Sequence, residues 1–275
     1  MLEARGLSLS LPDRAARRPF AAPALLPILR DIDLHLAPGE SLGLVGESGS
    51  GKTSLGRTLI RLYRPTGGRL LFDGRDITAL PEEALRPLRR HMQFIFQDPL
   101  SALNPRQRIA TILTRPLAAY GRAGSAAAAR RQAAGLLDRV GLPEALLDRY
   151  PHQLSGGQRQ RIGIARAIAL GPRLVVADEI TSGLDVSTQA QILALLRTLK
   201  RDLGLALIFI SHNLSTVRIL CDRVLVLQQG RTVETGPCAE VFAAPKHAYT
   251  RLLLDSIPLP ELEPGWLDRV PTPVL

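Results

Sequence analysis

The sequence has few cysteines, no long hydrophobic run and little lysine. Its two cysteines, Cys221 and Cys238, have neither the spacing of metal ligands nor the pairing pattern of a disulfide framework. No run of about eighteen apolar residues occurs, so a membrane-spanning helix is not expected. The amino-terminal stretch also lacks the apolar core of a signal peptide. The sequence therefore favours a cytoplasmic protein without structural zinc or an iron–sulfur cluster.

The chain is strongly basic, yet its charge pattern is not that of a nucleic-acid-binding protein. The formal net charge is +10, and of 35 basic residues only Lys52, Lys200 and Lys246 are lysine. The basic residues are scattered along the chain and do not alternate with aromatic residues. Because a nucleic-acid interface needs its charge concentrated on one face, we expect no such interface.

Length and hydrophobic patterning indicate an α/β protein with a sizeable core. The 275 residues are 45% hydrophobic, enough for one large domain or two smaller ones. Apolar residues alternate with polar ones over residues 7–11 and 32–36, which predicts two half-buried antiparallel strands and places His35 on the solvent face. Farther along, apolar strands alternate with amphipathic helices, a pattern typical of a parallel sheet covered on both faces.

A glycine-rich loop follows the third predicted strand and precedes a helix predicted to run to residues 65–68. Residues 46–53, GESGSGKT, fit the pattern G-x-x-x-x-G-K-[ST], in which backbone N–H groups surround a phosphate. Lys52 is then expected to meet the β- and γ-phosphates, and the Thr53 hydroxyl to bind magnesium. The predicted nucleotide-binding residues are Gly46, Glu47, Ser48, Gly49, Ser50, Gly51, Lys52, Thr53 and Ser54.

Carboxylate, amide and imidazole side chains come directly after other buried strands. Asp178 and Glu179 follow the apolar run LVVA. In P-loop proteins the acid at this place holds magnesium, which we assign to Asp178, and Glu179 is then the general base that polarises the attacking water. Gln97 follows FIF and can contact the magnesium and the water, whereas His212 follows LIFIS and can bind a γ-phosphate.

Residues 98–153 read mainly as helix and resemble an inserted lobe, with an alanine-rich segment that GLP ends near residue 141. Directly after it comes LSGGQ, at the start of another predicted helix. This second glycine-rich turn has the setting of a phosphate site but lacks a lysine. From about residue 237 the chain is punctuated by proline.

Together these motifs resemble those of ABC transporter ATPases, and the resemblance covers nearly the whole chain. The Walker A loop corresponds to residues 46–53, the Q-loop to Gln97, Walker B to LVVADE, the D-loop to SGLD ending at Asp185, and the switch histidine to His212. The signature residues are Leu154, Ser155, Gly156, Gly157 and Gln158. The sequence around the Walker A, Q-loop and signature motifs is similar to that of importers of the oligopeptide, dipeptide and nickel group.

The resemblance implies an α/β P-loop NTPase fold with a RecA-like core, an antiparallel β subdomain and an inserted helical subdomain. It implies an ATPase domain over residues 1–236, with the helical subdomain at about 98–158, and a short carboxyl-terminal appendage at 237–275. It also implies ATP and Mg²⁺ as cofactors. By the same resemblance, ATP is expected to lie between the Walker loop of one subunit and the signature of another, so that the signature acts in trans.

The resemblance further implies the partners of an importer. These are a second ATPase subunit, either a paralogue or a copy of this chain, two membrane permease subunits and a periplasmic or extracellular substrate-binding protein. The expected location is the cytoplasmic face of the bacterial inner membrane, and the expected cargo is peptides, nickel or a metal chelate.

The sequence departs from the family pattern at several positions. Leu11 stands where an aromatic residue usually stacks on adenine, with Phe20 as a candidate substitute. Ile180 replaces a common proline, Gly183 a common alanine, and Asn213 a frequent aspartate. The tail is short and lacks a cysteine cluster, which favours nickel-type or generic members over peptide importers.

Two other functions remain open at this stage. The first is a soluble ABC ATPase of a non-transport complex, such as a partner of a phosphonate lyase. The second is a stand-alone nucleotide kinase, which would leave the signature and the D-loop unexplained.

Overall fold

The computed structural model describes residues 1–13, 24–98 and 102–255. The chain divides into two compact units. The first comprises the described residues of 1–89 and 206–255, and the second comprises those of 90–205.

The described strands are β1 (Leu2–Pro12), β2 (Leu25–Leu36), β3 (Ser41–Val45), β4 (Gly67–Phe72), β5 (Arg75–Asp76), β6 (Met92–Ile95), β7 (Leu174–Asp178), β8 (Ala206–Ile210), β9 (Arg223–Gln228) and β10 (Arg231–Pro237). The described α-helices are α1 (Lys52–Leu59), α2 (Glu82–Arg89), α3 (Ile109–Ala119), α4 (Ala126–Arg139), α5 (Gly156–Ile168), α6 (Val186–Leu203), α7 (Leu214–Leu220), α8 (Cys238–Ala243) and α9 (Ala248–Asp255). Two short 3₁₀ helices span Glu144–Asp148 and Pro151–Gln153. Among the described residues, none of the helices has the length and apolar character needed to cross a bilayer.

An antiparallel sheet in the first unit has the strand order β2-β1-β4-β5. Leu9 of β1 lies opposite Leu29 of β2, and both side chains are buried. Along β2, Ile32 and Leu34 are buried whereas His35 is exposed. This alternation confirms the two predicted half-buried strands, because successive side chains of a strand point to opposite faces.

The first unit also contains parallel strands that carry the glycine loop. Strand β3 pairs in parallel with β8 on one side and with β9 on the other, and β10 pairs antiparallel with β9. All residues of β3 and β8 are buried, as expected for strands covered on both faces. The carboxyl end of β3 leads into residues 46–53, and that of β8 leads to His212.

The helix that follows the loop is shorter than the sequence predicts. It ends at Leu59, and the next residues leave the helical path, with Arg61 at φ +60°. The Arg61 guanidinium is buried and donates from Nε to the Ile77 carbonyl at 2.8 Å and from Nη2 to the Leu80 carbonyl at 3.0 Å. These hydrogen bonds join Arg61 to residues 16 and 19 positions away, so no local sequence pattern predicts them.

The second unit combines a parallel strand pair, β6 and β7, with helices. Helices α3, α4 and α5 pack against one another, and α5 also packs against β6. Helix α4 begins after Ser125, whose Oγ accepts a hydrogen bond from Ala128 N at 3.2 Å, and it ends before Gly141 at φ +66°, as the GLP sequence predicts. The described part of the predicted helical subdomain is therefore helical, while residues 99–101 lie outside the described residues.

Candidate active site

The glycine loop has a backbone that only glycine adopts easily. Gly46, Gly49 and Gly51 have φ values of +147°, +82° and +104°. A Cβ atom on Gly46 would lie 2.1 Å from the Leu227 carbonyl oxygen, so the loop also packs too closely against the end of β9 to admit a side chain there. Both constraints explain why this pattern needs glycine.

Lys52 is the first residue of α1, and its side chain is folded back over the loop. The residue is 5% exposed, and Nζ donates hydrogen bonds to the carbonyl oxygens of Gly46 at 2.8 Å and Glu47 at 2.7 Å. A buried ammonium group is costly unless it is hydrogen-bonded. The loop carbonyls therefore hold a positive charge at the place where the sequence predicts phosphate.

The remaining groups of the loop also fit a phosphate. Ser50 Oγ is buried and has no hydrogen-bond partner among the described residues. The N-cap residue of α1, Gly51, provides no side-chain hydrogen bond to the first turn. Helix amino termini carry unsatisfied N–H groups and a partial positive charge, which favour an anion. Thr53 and Ser54 lie half-buried in this first turn, so residues 46–54 form one continuous candidate site.

Gln97 and Glu179 lie together in the second unit. Gln97 Nε2 donates a hydrogen bond to Glu179 Oε2 at 2.9 Å. Gln97 follows β6 and Glu179 follows β7, and the carboxyl ends of these parallel strands lie at one edge of the pair. The structure thus brings together two of the residues to which the sequence assigns catalytic roles.

Asp178 and Glu179 differ in burial and backbone conformation. Asp178 is 2% exposed, whereas Glu179 is half-buried and has φ +46°, a left-handed conformation that is strained for a residue with a side chain. Ser182 fixes this conformation, because its N–H and its hydroxyl both donate to the Glu179 carbonyl, at 3.1 and 2.8 Å. Backbone strain of this kind is held in place by the surrounding structure, here by Ser182.

His212 belongs to the first unit and is exposed between two hydrogen-bonded neighbours. Ser211 Oγ accepts from Asn213 N at 3.0 Å. Asn213 is the N-cap of α7, and its Oδ1 accepts from Ser215 N at 3.0 Å and from Thr216 N at 3.4 Å. An aspartate would cap the helix in the same way, so the asparagine at this position keeps the local structure.

The signature residues form the amino terminus of α5. Ser155 is exposed and Leu154 is buried. Ser155 Oγ accepts from Gln158 N at 3.2 Å, and Gln158 Oε1 accepts from Ser155 N at 3.0 Å, which is a reciprocal capping box. The N–H groups of Gly156 and Gly157 occupy the first helical positions, which have no acceptor within the helix. The turn can therefore offer donors to an anion without a lysine.

Asp185, the predicted D-loop residue, is the N-cap of α6. Its carboxylate accepts hydrogen bonds from Ser187 Oγ at 2.7 Å and from Thr188 N and Oγ1 at 2.9 and 2.7 Å. These hydrogen bonds hold the pKa of Asp185 well below its usual range. A Cβ atom on Gly157 would lie 2.8 Å from Thr188 Cγ2, so the signature and the D-loop helix are in close contact.

One contact of the loop has no counterpart in the sequence motifs. Glu47 N donates a hydrogen bond to Tyr249 Oη at 2.9 Å, and the two residues are 202 positions apart in the sequence.

Leu11, at the usual place of an adenine-stacking residue, is half-buried on β1 opposite Leu26. Phe20 lies outside the described residues, so adenine stacking by Phe20 stays a prediction.

Two family models match the chain. One, described as ABC transporter, matches residues 29–182, and the other, described as the C-terminal region of oligopeptide/dipeptide transporters, matches residues 233–273. The second match supports the oligopeptide/dipeptide group and weighs against the inference that the short tail favours nickel-type or generic members. It covers most of the tail, although the tail has no cysteine cluster.

Two of the similar proteins are named import ATP-binding proteins. A protein of Brucella ovis named as a peptide import ATP-binding protein is 47% identical over 261 residues, which cover 95% of this chain and 80% of the relative. The glutathione import ATP-binding protein of Escherichia coli K12 is 50% identical over 231 residues, 84% of this chain and 37% of the relative.

Solved structures show the same fold. A dimeric post-hydrolysis state of an ATP-binding cassette bound to ADP and Pi is 28% identical, with a TM-score of 0.76 over 86% of this chain and 99% of that one. CbiO1 from Clostridium perfringens, part of the ABC transporter complex CbiONQ, is 28% identical, with a TM-score of 0.74 over 88% of this chain and 90% of that one. The predicted α/β P-loop NTPase fold is confirmed. The chain belongs to the ABC transporter family and is one of its ATP-binding, ATP-hydrolysing members.

Proposed function

We propose that this chain is the ATPase subunit of an importer and couples ATP binding and hydrolysis to the uptake of peptides. The observation that carries the ATPase role is the loop of residues 46–53, which holds the buried ammonium of Lys52 beside an unpartnered Ser50 hydroxyl. The peptide cargo is supported by the match of residues 233–273 to oligopeptide and dipeptide transporters and by the names of the relatives. These findings favour peptides over nickel or a metal chelate.

The loop residues 46–54 bind the phosphates of ATP in this proposal. Lys52 supplies a compact charge to the β- and γ-phosphates. Thr53, Gln97 and Asp178 are the oxygen donors that would hold Mg²⁺, a hard cation that prefers such ligands. Bound with ATP, the ion would neutralise charge that develops on the phosphates. His212 is assigned to the γ-phosphate.

Glu179 is the proposed general base. Its carboxylate accepts a hydrogen bond from Gln97 Nε2 at one oxygen, Oε2. Each carboxylate oxygen has two lone pairs, so the group retains acceptor capacity for the proton of a water. Gln97 fixes the orientation of the side chain without adding charge, while the Ser182 hydrogen bonds fix its backbone.

The signature is proposed to act on ATP bound by a second ATPase subunit, either a copy of this chain or a paralogue. Residues 154–158 offer helix-terminal donors but no cation, which suits a γ-phosphate whose other contacts come from a partner loop. The further partners are two permease subunits and a substrate-binding protein outside the membrane. The chain then binds peripherally to the cytoplasmic face of the inner membrane.

Binding and uptake measurements test the proposal. Lys52→Ala should weaken ATP binding to the purified full chain at least tenfold, because it removes the positively charged side chain of the loop. The matched control is Lys200→Ala, which removes a lysine from the last turn of α6 and should bind ATP like the wild type. Equal affinity in both variants would contradict the assignment of the loop.

The importer role needs a cellular test. Cells that express the chain with its neighbouring gene products should take up peptide, and Glu179→Gln should abolish that uptake. If uptake is unchanged and the protein does not sediment with membranes, the alternative of a soluble complex partner takes the place of the importer.

A further inference from the structure

Tyr249 lies far from every nucleotide-binding motif in sequence, yet its hydroxyl contacts the glycine loop. It belongs to α9, in the segment that matches the oligopeptide/dipeptide C-terminal region and outside the match to the ABC transporter model. Its Oη accepts the hydrogen bond from Glu47 N at 2.9 Å. The contact therefore links a carboxyl-terminal helix to the second residue of the loop.

Glu47 is hydrogen-bonded on both sides of its Cα atom. Its N–H donates to Tyr249, and its carbonyl accepts from Lys52 Nζ at 2.7 Å and from Ser50 N at 3.2 Å. The N–H of Glu47 and the carbonyl of Gly46 belong to one planar peptide unit, so fixing this N–H fixes the direction of the Gly46 carbonyl, which accepts from Lys52 Nζ at 2.8 Å. The direction of this carbonyl, in turn, sets one of the two backbone anchors of the Lys52 ammonium.

Tyr249 is itself held in place by a compact set of hydrogen bonds. The residue is 6% exposed, and its N–H donates to His247 Nδ1 at 3.1 Å. The Glu234 carboxylate accepts from Lys246 N at 2.8 Å and from His247 N at 3.0 Å, which fixes the turn before α9. Burial raises the pKa of the Tyr249 phenol, opposed by the hydrogen bond from Glu47 N, so the hydroxyl stays neutral at physiological pH.

Glu234, which fixes the turn before α9, is connected to the glycine loop through the strands of the sheet. Glu234 lies on β10, which pairs with β9, and β9 pairs with β3, the strand that enters the loop. The turn between β9 and β10 also contacts the loop directly, because Gly230 N donates to the Ser50 carbonyl at 3.0 Å. The loop is thus held at Glu47 by α9 and at Ser50 by the hairpin.

We propose that Tyr249 is a positioning residue for ATP binding, which holds the Glu47 backbone, and with it the Lys52 ammonium, in the arrangement that receives phosphate. This inference rests on the proposed function, in which the loop binds ATP. The hydroxyl acts through Glu47 and makes no contact with the nucleotide. The carboxyl-terminal segment is therefore part of the machinery that sets ATP affinity.

The substitution Tyr249→Phe removes only the hydroxyl. Loss of one neutral hydrogen bond should weaken ATP binding by about three- to tenfold, measured by titration calorimetry on the full chain. KM for ATP should rise by the same factor, while kcat at saturating ATP should change less than twofold, because Tyr249 touches no reacting group. Hydrogen exchange of a peptide that covers residues 46–53 should become faster.

Tyr63→Phe is the matched control. It removes the same hydroxyl in the same unit, where Tyr63 Oη accepts from Arg57 Nη1 at 2.9 Å. ATP affinity and exchange at the loop should stay within twofold of the wild type. A loss of affinity in Tyr63→Phe as large as that in Tyr249→Phe would overturn the inference, since it would indicate a general effect on stability.

A second variant keeps the inference testable if Tyr249→Phe unfolds. Glu234→Gln weakens the anchor of α9 without touching the loop, and it should raise KM for ATP about twofold to fivefold with little change in kcat. If the wild type binds ATP and Lys52→Ala does not, but Tyr249→Phe or the folded Glu234→Gln binds like the wild type, the inference fails and the proposed function stands. If the wild type itself does not bind ATP, the proposed function fails.

Discussion

The amide of Gln97 donates to the carboxylate of Glu179 across 2.9 Å, so the residues that end β6 and β7 are joined by a side-chain hydrogen bond. Within the second unit, the uncharged amide of Gln97 orients the carboxylate of Glu179, the proposed general base. An amide can hold a carboxylate without forming an ion pair, so the carboxylate is not neutralised by its own positioning group. This arrangement makes the roles of the two residues separable by substitution.

We expect Glu179→Gln to lower kcat for ATP hydrolysis by at least about 100-fold, because general-base catalysis contributes on that order or more. ATP affinity should stay within about threefold of the wild type, since the change preserves shape. Phosphate release and nucleotide titration measure the two quantities. Glu144→Gln, the same change at an exposed position, should leave both unaltered; a similar kcat for the two variants would remove Glu179 from the mechanism.

Ser155→Arg should leave ATP binding by the loop of residues 46–53 intact but abolish the hydrolysis that depends on assembly with a second subunit. A bulky cation at the amino terminus of α5 blocks the approach of a partner-bound phosphate and removes the capping hydroxyl, which costs about 1 kcal/mol. The measurements are ATP titration and phosphate release by the assembled protein.

Ser125→Arg provides the control for that experiment, because Ser125 caps α4 with the same 3.2 Å hydrogen bond from the third helical residue. It should lose a similar amount of stability and keep its hydrolysis. Full hydrolysis in Ser155→Arg, in an assembly that contains only this variant, would refute the role of the signature.

Gly46→Ala should disrupt the loop more than a glycine substitution elsewhere with positive φ. The new Cβ would lie 2.1 Å from the Leu227 carbonyl oxygen, so the loop or the end of β9 must move. Gly39→Ala, at φ +71° with nothing within 4 Å of its Cβ, isolates the backbone strain alone, about 1–2 kcal/mol. Urea unfolding and ATP titration should show a larger loss for Gly46→Ala in both; equal losses would contradict the packing argument.

Cys238 should resist alkylation in the folded protein. Burial, with a smaller contribution from the charge of Asp222, raises the pKa of its thiol to about 12. Since the unfolded thiol ionises near pH 9, the unfolded state loses its proton first, and the contribution of this group to stability decreases as the pH rises from about 9 toward 12. Iodoacetamide labelling at pH 8, followed by mass spectrometry, should modify Cys238 only after denaturation.

A cysteine placed at the exposed position of Ala243, on the same helix, is the reference for that labelling. Ala243→Cys should react in the folded protein at the rate of an ordinary thiol. If Cys238 reacts equally fast, α8 does not stay packed in solution.

The sequence predicts the elements whose signals are local. The helix over residues 186–203 and the strand over 206–210 match the predicted alternation of amphipathic helices with apolar strands, because Asp185 caps one and continuous apolar residues define the other. The capping box of Ser155 and Gln158 is likewise a local pattern. The glycines of the loop are recognisable because each has a backbone requirement of its own.

Features that depend on distant partners were not predictable. The Glu47–Tyr249 hydrogen bond joins residues separated by 202 positions, and nothing near either residue encodes it. After the early end of α1, the Arg61 side chain finds its acceptors at Ile77 and Leu80, which only the folded chain brings near. The sequence also did not predict the hairpin of β9 and β10, in which Gly230 N donates to the Ser50 carbonyl of the loop.

The close approach of Gly157 to Thr188 has a mechanical consequence. With less room than one methyl group between them, the amino termini of α5 and α6 cannot move closer together without a steric collision. Thr188 is also tied to Asp185 through two hydrogen bonds. A movement of Gly157 toward α6 would therefore press on Thr188 and on Asp185, to which Thr188 is hydrogen-bonded.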